Sequence, residues 1–320
     1  MQQALLEWYQ ENKRPLIFRE KKDAYSIWIS EIMAQQTRIE AMLPYYERFI
    51  QQFPTLLDLA NADDEKLHKA WQGLGYYSRC RNLKKCAQQC MEWYDGKLPS
   101  TKKELETLSG IGPYTAGAIA SIAYNEKVSC VDGNVIRVFS RLYDIHDDVT
   151  KSKTKKQIEA LVDASLVDEI SDYNQALMEL GALICIPQNP RCSICPIQKF
   201  CKAKQPQFLP VKPEKKKRKI EKKKIYIWIH EDKVHIHKRK DTGLLANMYE
   251  FDEMLPQTYD AKEYLMEYTH IFSHIEWHME AYIVKTGWDD ESFVHFDELE
   301  TTYALPSAFM PFLKKIKENV

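Results

Sequence analysis

Four cysteines stand in the run C-x6-C-x2-C-x5-C: Cys185, Cys192, Cys195 and Cys201. Four thiolates so close in sequence can converge on one small cofactor, and the spacing fits a cubane [4Fe–4S] cluster held by a single compact loop. Zinc is the competing cation. It usually takes two C-x2–4-C or H-x3–5-H pairs. Here only Cys192 and Cys195 form such a pair, and the outer spacings are long for zinc. The other cysteines, Cys80, Cys86, Cys90 and Cys130, are scattered through helical pattern, which argues against a disulfide framework and fits a reducing compartment.

Two carboxylates and a glycine turn could also do chemistry. Glu31 lies in a strongly apolar helical stretch with Trp28, Ile32 and Met33. A carboxyl against an apolar wall keeps its proton near neutral pH and can act as a general acid; a solvent-facing Glu would have no such role. Asp132 precedes a helix starting near Val135, the usual place of an N-cap. Exposed at a helix N-terminus, it is expected to stay ionised and to suit a developing cation. In L-S-G-I-G-P-Y-T-A-G, Gly110 and Gly112 permit a tight turn and Pro113 opens the next helix. The backbone N–H groups of such a turn can hold a phosphate, although an ordinary helix connector reads the same way.

The elements that must carry these residues follow from periodicity. Apolar residues recur at helical spacing over Ala4–Tyr9, Tyr25–Met33, Tyr45–Phe53, Leu83–Trp93, Thr115–Ala123, Val135–Tyr143, Ile158–Leu166 and Tyr173–Ile184. Residues 1–205 therefore read as almost wholly helical, and 206–224 as a Pro- and Lys-rich linker. Lys212 to Lys224 holds nine Lys/Arg and two Glu, a local basic excess in a chain of net charge -1. Such a run can be a solvated linker or a phosphate-binding strip. Beyond it the period changes. K-I-Y-I-W-I-H-E-D-K-V-H-I-H-K reads as a hairpin turning at Glu231–Asp232, Ala281–Lys285 as a strand, and Tyr259–Tyr268 and Pro306–Lys317 as helices. Residues 225–320 are thus expected to form a small domain of strands and helices. The 320 residues allow two domains, and no apolar run approaches the length of a membrane span.

Taken together, S-E-I-M-A-Q-Q-T, G-L-G-Y-Y-S-R, S-G-I-G-P-Y-T-A-G, V-D-G-N-V-I-R-V and L-G-A-L-I-C form an ordered set. It resembles the MutY adenine DNA glycosylases of the helix–hairpin–helix family, over essentially the whole chain. The resemblance implies a mainly α catalytic domain over 1–205 and a smaller α+β, Nudix-like domain over 225–320 that recognises 8-oxoguanine. Within the catalytic domain, 20–125 would be a six-helix barrel, and 1–19 with 126–205 an iron–sulfur module. It implies removal of adenine paired with 8-oxoguanine or guanine in double-stranded DNA by a monomeric enzyme that needs no membrane. Glu31 matches the general acid and Asp132 the carboxylate that stabilises the sugar cation. Tyr114 stands where the bifunctional relatives carry a Schiff-base lysine, which implies a glycosylase without lyase activity. Tyr114 and Asn134 would position Asp132 and the sugar. Phe18, Arg19 and Gln175 would hold adenine. Gln36, Leu74 and Tyr76 would fill or wedge the space near the lesion, with Gly110 and Gly112 on the DNA backbone. Phe272, Ser273 and His274 would read 8-oxoguanine.

The chain departs from the family pattern at two places. Phe18 replaces a common tryptophan, and G-L-L-A-N-M-Y-E-F replaces a more glycine-rich G-L-W-G-G-L-W/Y-E-F. The R-E-x-x-E-E box that Nudix hydrolases need is missing from 225–320. Two rival readings are an endonuclease III-like glycosylase and lyase, which Tyr114 opposes, and a non-catalytic iron–sulfur DNA-binding protein, which the paired Glu31 and Asp132 oppose. A bacterial cytoplasmic location is the expectation from the lack of a targeting segment.

Overall fold

The computed structural model describes residues 1–214 and 217–319, with only the backbone of Glu20 and Asn319. The helices run α1 (Gln2–Asn12), α2 (Ile17–Glu20), α3 (Ala24–Ala34), α4 (Ile39–Gln52), α5 (Leu56–Ala60), α6 (Asp64–Trp71), α7 (Ser78–Trp93), α8 (Lys102–Leu105), α9 (Pro113–Ala123), α10 (Gly133–Leu142), α11 (Ser152–Asp163) and α12 (Ile170–Leu183). The strands are β1 (Lys219–His230), β2 (Lys233–His235), β3 (His237–Lys238), β4 (Tyr249–Glu250), β5 (Ala261–Ile271), β6 (Ile275–Lys285) and β7 (Phe293–His295), followed by α13 (Phe296–Thr301) and α14 (Met310–Asn319). No helix among the described residues is long and apolar enough to cross a membrane.

The chain divides into two compact units, Met1–Asn61 with Asn82–Glu214, and Ala62–Arg81 with Lys215–Val320. In the first, α3 and α9 are apolar on nearly every side and bury Trp28, Ile29, Met33, Ala116, Ile119 and Ala120. A helix apolar all round belongs at the centre of its domain. Asp23 caps α3, its carboxylate accepting from the Ser26 N–H at 2.8 Å. Pro113 opens α9 at its first position, where its missing N–H costs nothing. Gly110 in the turn before it has φ +77°, and a Cβ there would come within 2.6 Å of Asn82 Cβ. A second core gathers Leu5 and Tyr9 of α1 with Val138, Phe139, Ile158, Tyr173 and Leu177 of α10 to α12.

The second unit centres on a five-stranded sheet in the order β5-β6-β1-β2-β7, beside a two-stranded β3-β4 pair. The Glu231–Asp232 turn joins β1 to β2 as expected, pairing Ile229 with Val234. The expected strand Ala281–Lys285 is the last part of β6. Ile225 and Ile227 of β1 and Trp277, Met279 and Ala281 of β6 alternate into a core closed by Phe309, Phe312, Leu313 and Ile316. α6 belongs to this unit because its side chains bond there: Lys69 Nζ donates to Tyr303 O at 3.0 Å and Gln72 Nε2 to Leu305 O at 2.7 Å.

Two expectations need correction. Tyr259–Tyr268 is not helical: Ala261–Ile271 is strand β5, antiparallel to β6. Its Ala, Lys, Glu, Leu and Met residues favour a helix locally, but pairing along β6 outweighs that preference. The linker is shorter than 206–224. At one end Leu209 is buried and its carbonyl accepts from Arg141 Nε at 3.1 Å; at the other, Lys219 already pairs with Ile275 in β1. Of the basic run, Lys215 and Lys216 lie outside the described residues, and Lys223 is engaged by Glu253 and the Trp277 ring. Residues 62–81, expected within the helical barrel, cluster by contact with the second unit.

The approach of α9 to the segment leading to Asp132 is testable. A Cβ on Gly117 would lie 2.3 Å from the Ser129 carbonyl oxygen. Gly117→Ala must push backbone apart, and overpacking of that kind costs about 1–3 kcal/mol. Chemical denaturation of this variant should show that loss; wild-type stability would mean the contact is not maintained in solution.

Candidate active site

A cavity of about 810 Å³ opens in the first unit, lined by side chains from α2, α3, α9, α12 and the start of α10. Glu31, Tyr114, Asp132, Asn134, Phe18, Arg19, Gln175 and Gln36 all reach it. Leu74, Tyr76, Phe272, Ser273 and His274 belong to the second unit, and Gly110 and Gly112 lie in the turn before α9. Tyr76 is exposed at φ +49°, whereas Leu74 is buried, so it is Tyr76 that this loop presents to solvent. Ser273 and His274 are exposed in the tight β5–β6 turn; Phe272 packs edge-on to Trp277 with ring centroids 4.9 Å apart.

Glu31 sits in the cavity wall and accepts a hydrogen bond from the Tyr114 hydroxyl at 2.5 Å. Burial raises its pKa; the Tyr114 bond lowers it, Asp132 raises it again and Arg19 lowers it, leaving the carboxyl at about 7. Burial also holds the Tyr114 phenol well above its ordinary range, so it remains a donor. The tyrosine hydroxyl thus bonds to Glu31. Asp132 caps α10: one oxygen accepts from the Val135 N–H at 2.7 Å and the other from Asn134 Nδ2 at 2.6 Å. It is half-buried rather than exposed, and burial pushes its pKa above the usual value against the pull of those hydrogen bonds.

Arg19 reaches the cavity with its guanidinium already engaged, donating to Glu179 at 2.7 Å and to Arg14 O at 3.2 Å. Arg14 grips the same carboxylate through Nε at 2.7 Å and Nη2 at 3.1 Å. Burial alone would raise the Glu179 pKa, but the two arginines hold it at about 2. Gln175 donates its amide to Ser171, and Phe18 packs edge-on against Tyr46 at 5.9 Å. Arg14 and Glu179 were missed from the sequence. The available signal was one Glu inside the apolar run A-L-M-E-L-G-A-L-I, where a lone charge must find a partner.

The cysteine loop is tied to this site through α10. Arg137 Nη2 donates to Asn134 Oδ1 at 2.8 Å and to Gly181 O at 2.7 Å, and its Nε to Cys185 O at 2.7 Å. Arg141 is almost completely buried and donates to the carbonyls of Cys185, Ile186, Pro187 and Leu209 and to Cys185 Sγ at 3.3 Å. The four loop cysteines form no disulfide. Burial raises Cys195 to about 11 and raises Cys201, in each case against a backbone hydrogen bond that lowers it, and negative charge on the neighbouring cysteines adds to the rise. Cysteines whose charges oppose one another's ionisation fit a cationic iron core, which would supply the compensating charge.

Residues 29–164 match the family described as HhH-GPD superfamily base excision DNA repair protein, 185–201 the iron-sulfur binding domain of endonuclease III, and 225–315 the NUDIX domain. An adenine DNA glycosylase of Schizosaccharomyces pombe is 33% identical over 85% of this chain and 79% of its own length. The chain belongs to the adenine DNA glycosylase family. A second relative of that name, from Buchnera aphidicola, is 31% identical over 91% of this chain and 88% of its own. Mammalian adenine DNA glycosylases are more similar over a shorter stretch: the human protein is 43% identical over 63% of this chain and 39% of its own length. The chain thus spans about two fifths of the mammalian relatives it matches. Among solved structures, a thermostable thymine-DNA glycosylase aligns with a TM-score of 0.57 at 25% identity, over 63% of this chain and 93% of that one. The match over 185–201 makes a [4Fe–4S] cluster the cofactor, and Cys185, Cys192, Cys195 and Cys201 all lie within it.

Two measurements check this site. Arg141→Lys keeps the charge but loses most of the fan of hydrogen bonds, and a buried site without the planar fork is left with unpaired carbonyls. Purified protein should carry less iron per chain and lose its cluster absorbance sooner on warming. Undiminished iron retention would mean that the loop holds its shape alone. Glu31→Gln keeps the Tyr114 acceptor and removes the ionisable group. The folded pKa of Glu31 is raised, so ionising it opposes folding above its unfolded value, and most strongly above about 7. The variant should gain about 1–3 kcal/mol over wild type at pH 8, discounted for the open cavity, and little at pH 5. Equal differences at both pH values would place Glu31 in solvent.

Proposed function

We propose that this chain is a monofunctional adenine DNA glycosylase acting on duplex DNA with adenine opposite 8-oxoguanine or guanine. The observation that carries the proposal is the Glu31–Tyr114 pair: a carboxyl held near neutrality at the point where a lyase would need an amine. Adenine is flipped out of the stack into the cavity, at a cost of a few kcal/mol. Protonated Glu31 gives its proton to the imidazole-ring nitrogen of adenine, so the base leaves neutral. The C1′–N9 bond breaks towards an oxocarbenium-like sugar, and the Asp132 carboxylate, oriented by Asn134 and the Val135 N–H, stabilises that charge. Water adds to C1′, leaving an abasic site. Tyr114 cannot form a Schiff base, so the strand stays intact.

The 225–320 region is assigned to recognition of 8-oxoguanine through Phe272, Ser273 and His274. Supporting this are the exposure of Ser273 and His274 on a tight turn and the missing hydrolase box. Gly110, Gly112, Gln36, Leu74 and Tyr76 are assigned to DNA contact, and the chain is taken to act as a monomer in the cytoplasm.

The experiment is a single-turnover assay on a duplex with one A·8-oxoguanine pair, with and without alkali. Cleavage only after alkali is expected. Nicking without alkali would favour the endonuclease III-like reading, and no reaction with an intact cluster would leave a DNA-binding protein. Glu31→Gln and Asp132→Asn should each slow the reaction by about 10²–10⁴. The rate should fall as pH rises through about 7, where Glu31 loses its proton, and again at acid pH as Asp132 gains one.

A further inference from the structure

We propose that His235, His237 and Asp252 form a binding site for a divalent transition-metal ion of the zinc class. One potential ligand atom from each lies within 4.8 Å of the others. His235 ends β2 and His237 opens β3, with buried Ile236 between them. The two imidazoles are therefore delivered by one short stretch of backbone turning off the main sheet. Asp252 follows β4 and is pinned by a backbone bridge to β1: Tyr226 N–H donates to Asp252 O at 2.7 Å and Asp252 N–H to Tyr226 O at 3.2 Å. The His235 ring is stacked on Trp228 at 4.4 Å and meets Phe293 edge-on at 5.2 Å, so its orientation is set by packing.

The distances suit a small ion. A tetrahedral site with metal–ligand bonds of about 2.0–2.1 Å places its ligand atoms about 3.3–3.4 Å apart. His237 Nδ1 and Asp252 Oδ1 are 3.4 Å apart. His235 Nδ1 and Asp252 Oδ2 are closer, at 2.7 Å, and must open by roughly half an ångström to admit the ion. Glu250 Oε1 lies 3.2 Å from His237 Nε2, the arrangement by which a carboxylate orients a metal-bound imidazole. Two imidazoles and one carboxylate prefer zinc-class ions over magnesium or calcium, which take oxygen ligands. A bound ion would join β2, β3 and the end of β4 to β1. It is a different feature from the acidic phosphate–metal box, which this sequence lacks.

The test uses the full-length chain with its cluster loaded, treated with chelator and desalted, and Co²⁺ as the probe. Wild type should bind one Co²⁺ per chain with ligand-field bands and no thiolate charge-transfer band, and Zn²⁺ should displace it. His237→Gln should weaken binding at least tenfold. His237→Cys should restore it and add the sulfur-to-cobalt band. Glu250→Gln, a second variant that spares all three ligands, should weaken binding about tenfold. No cobalt bound by wild type, a thiolate band in wild type, or undiminished binding by His237→Gln would each overturn the proposal.

Discussion

The structure depends on keeping one carboxyl, Glu31, in a wall where burial outweighs its hydrogen bond. α3 is apolar on almost every side because it runs through the centre of the first unit, and that same burial raises Glu31 to about 7. Tyr114 takes the opposing role. Its hydroxyl steadies the carboxylate, but one neutral hydrogen bond recovers only part of the solvation that burial removes. Asp132 lies at a helix N-terminus, where a backbone N–H and an amide compensate more of the cost. Two carboxylates on one cavity thus differ through surroundings rather than through residue type.

Buried arginines carry the rest of the frame. Arg137 connects Asn134, beside the Asp132 cap, to the carbonyls of Gly181 and Cys185. Arg141 gathers the backbone at the start of the cysteine loop. A buried guanidinium is expensive unless its donors are used, and here they are spent on carbonyls that would otherwise be unpaired. The cysteine loop and α10, which Asp132 caps, are consequently parts of one hydrogen-bonded network. Gly181 belongs to it for a steric reason, since a Cβ there would lie 2.5 Å from Asn134 Cβ. Arg14, Arg19 and Glu179, which also line the cavity, form a second charged network whose members satisfy one another.

The second unit shows how far local pattern can mislead. The β1–β2 turn was legible because alternation and an acidic turn coincide at Glu231–Asp232. β5 was not, because A-K-E-Y-L-M-E-Y carries helix-favouring residues and becomes a strand only when β6 lies alongside. α6 carries no mark of the unit it joins. Its allegiance comes from hydrogen bonds to Tyr303 and Leu305, more than two hundred residues away.

By itself the sequence determined the helical class of residues 1–205, the iron–sulfur loop, and Glu31, Tyr114 and Asp132 as candidate site residues, because spacing, helical period and ordered motifs are local properties of the chain. Tertiary structure alone decided that Tyr114 bonds to Glu31, that Glu179 is held by Arg14 and Arg19, and that Asp132 is half-buried. Those outcomes depend on which distant groups share a low-dielectric space. Protonation and ion pairing follow burial and distance between side chains, and neither is encoded in the neighbours along the chain.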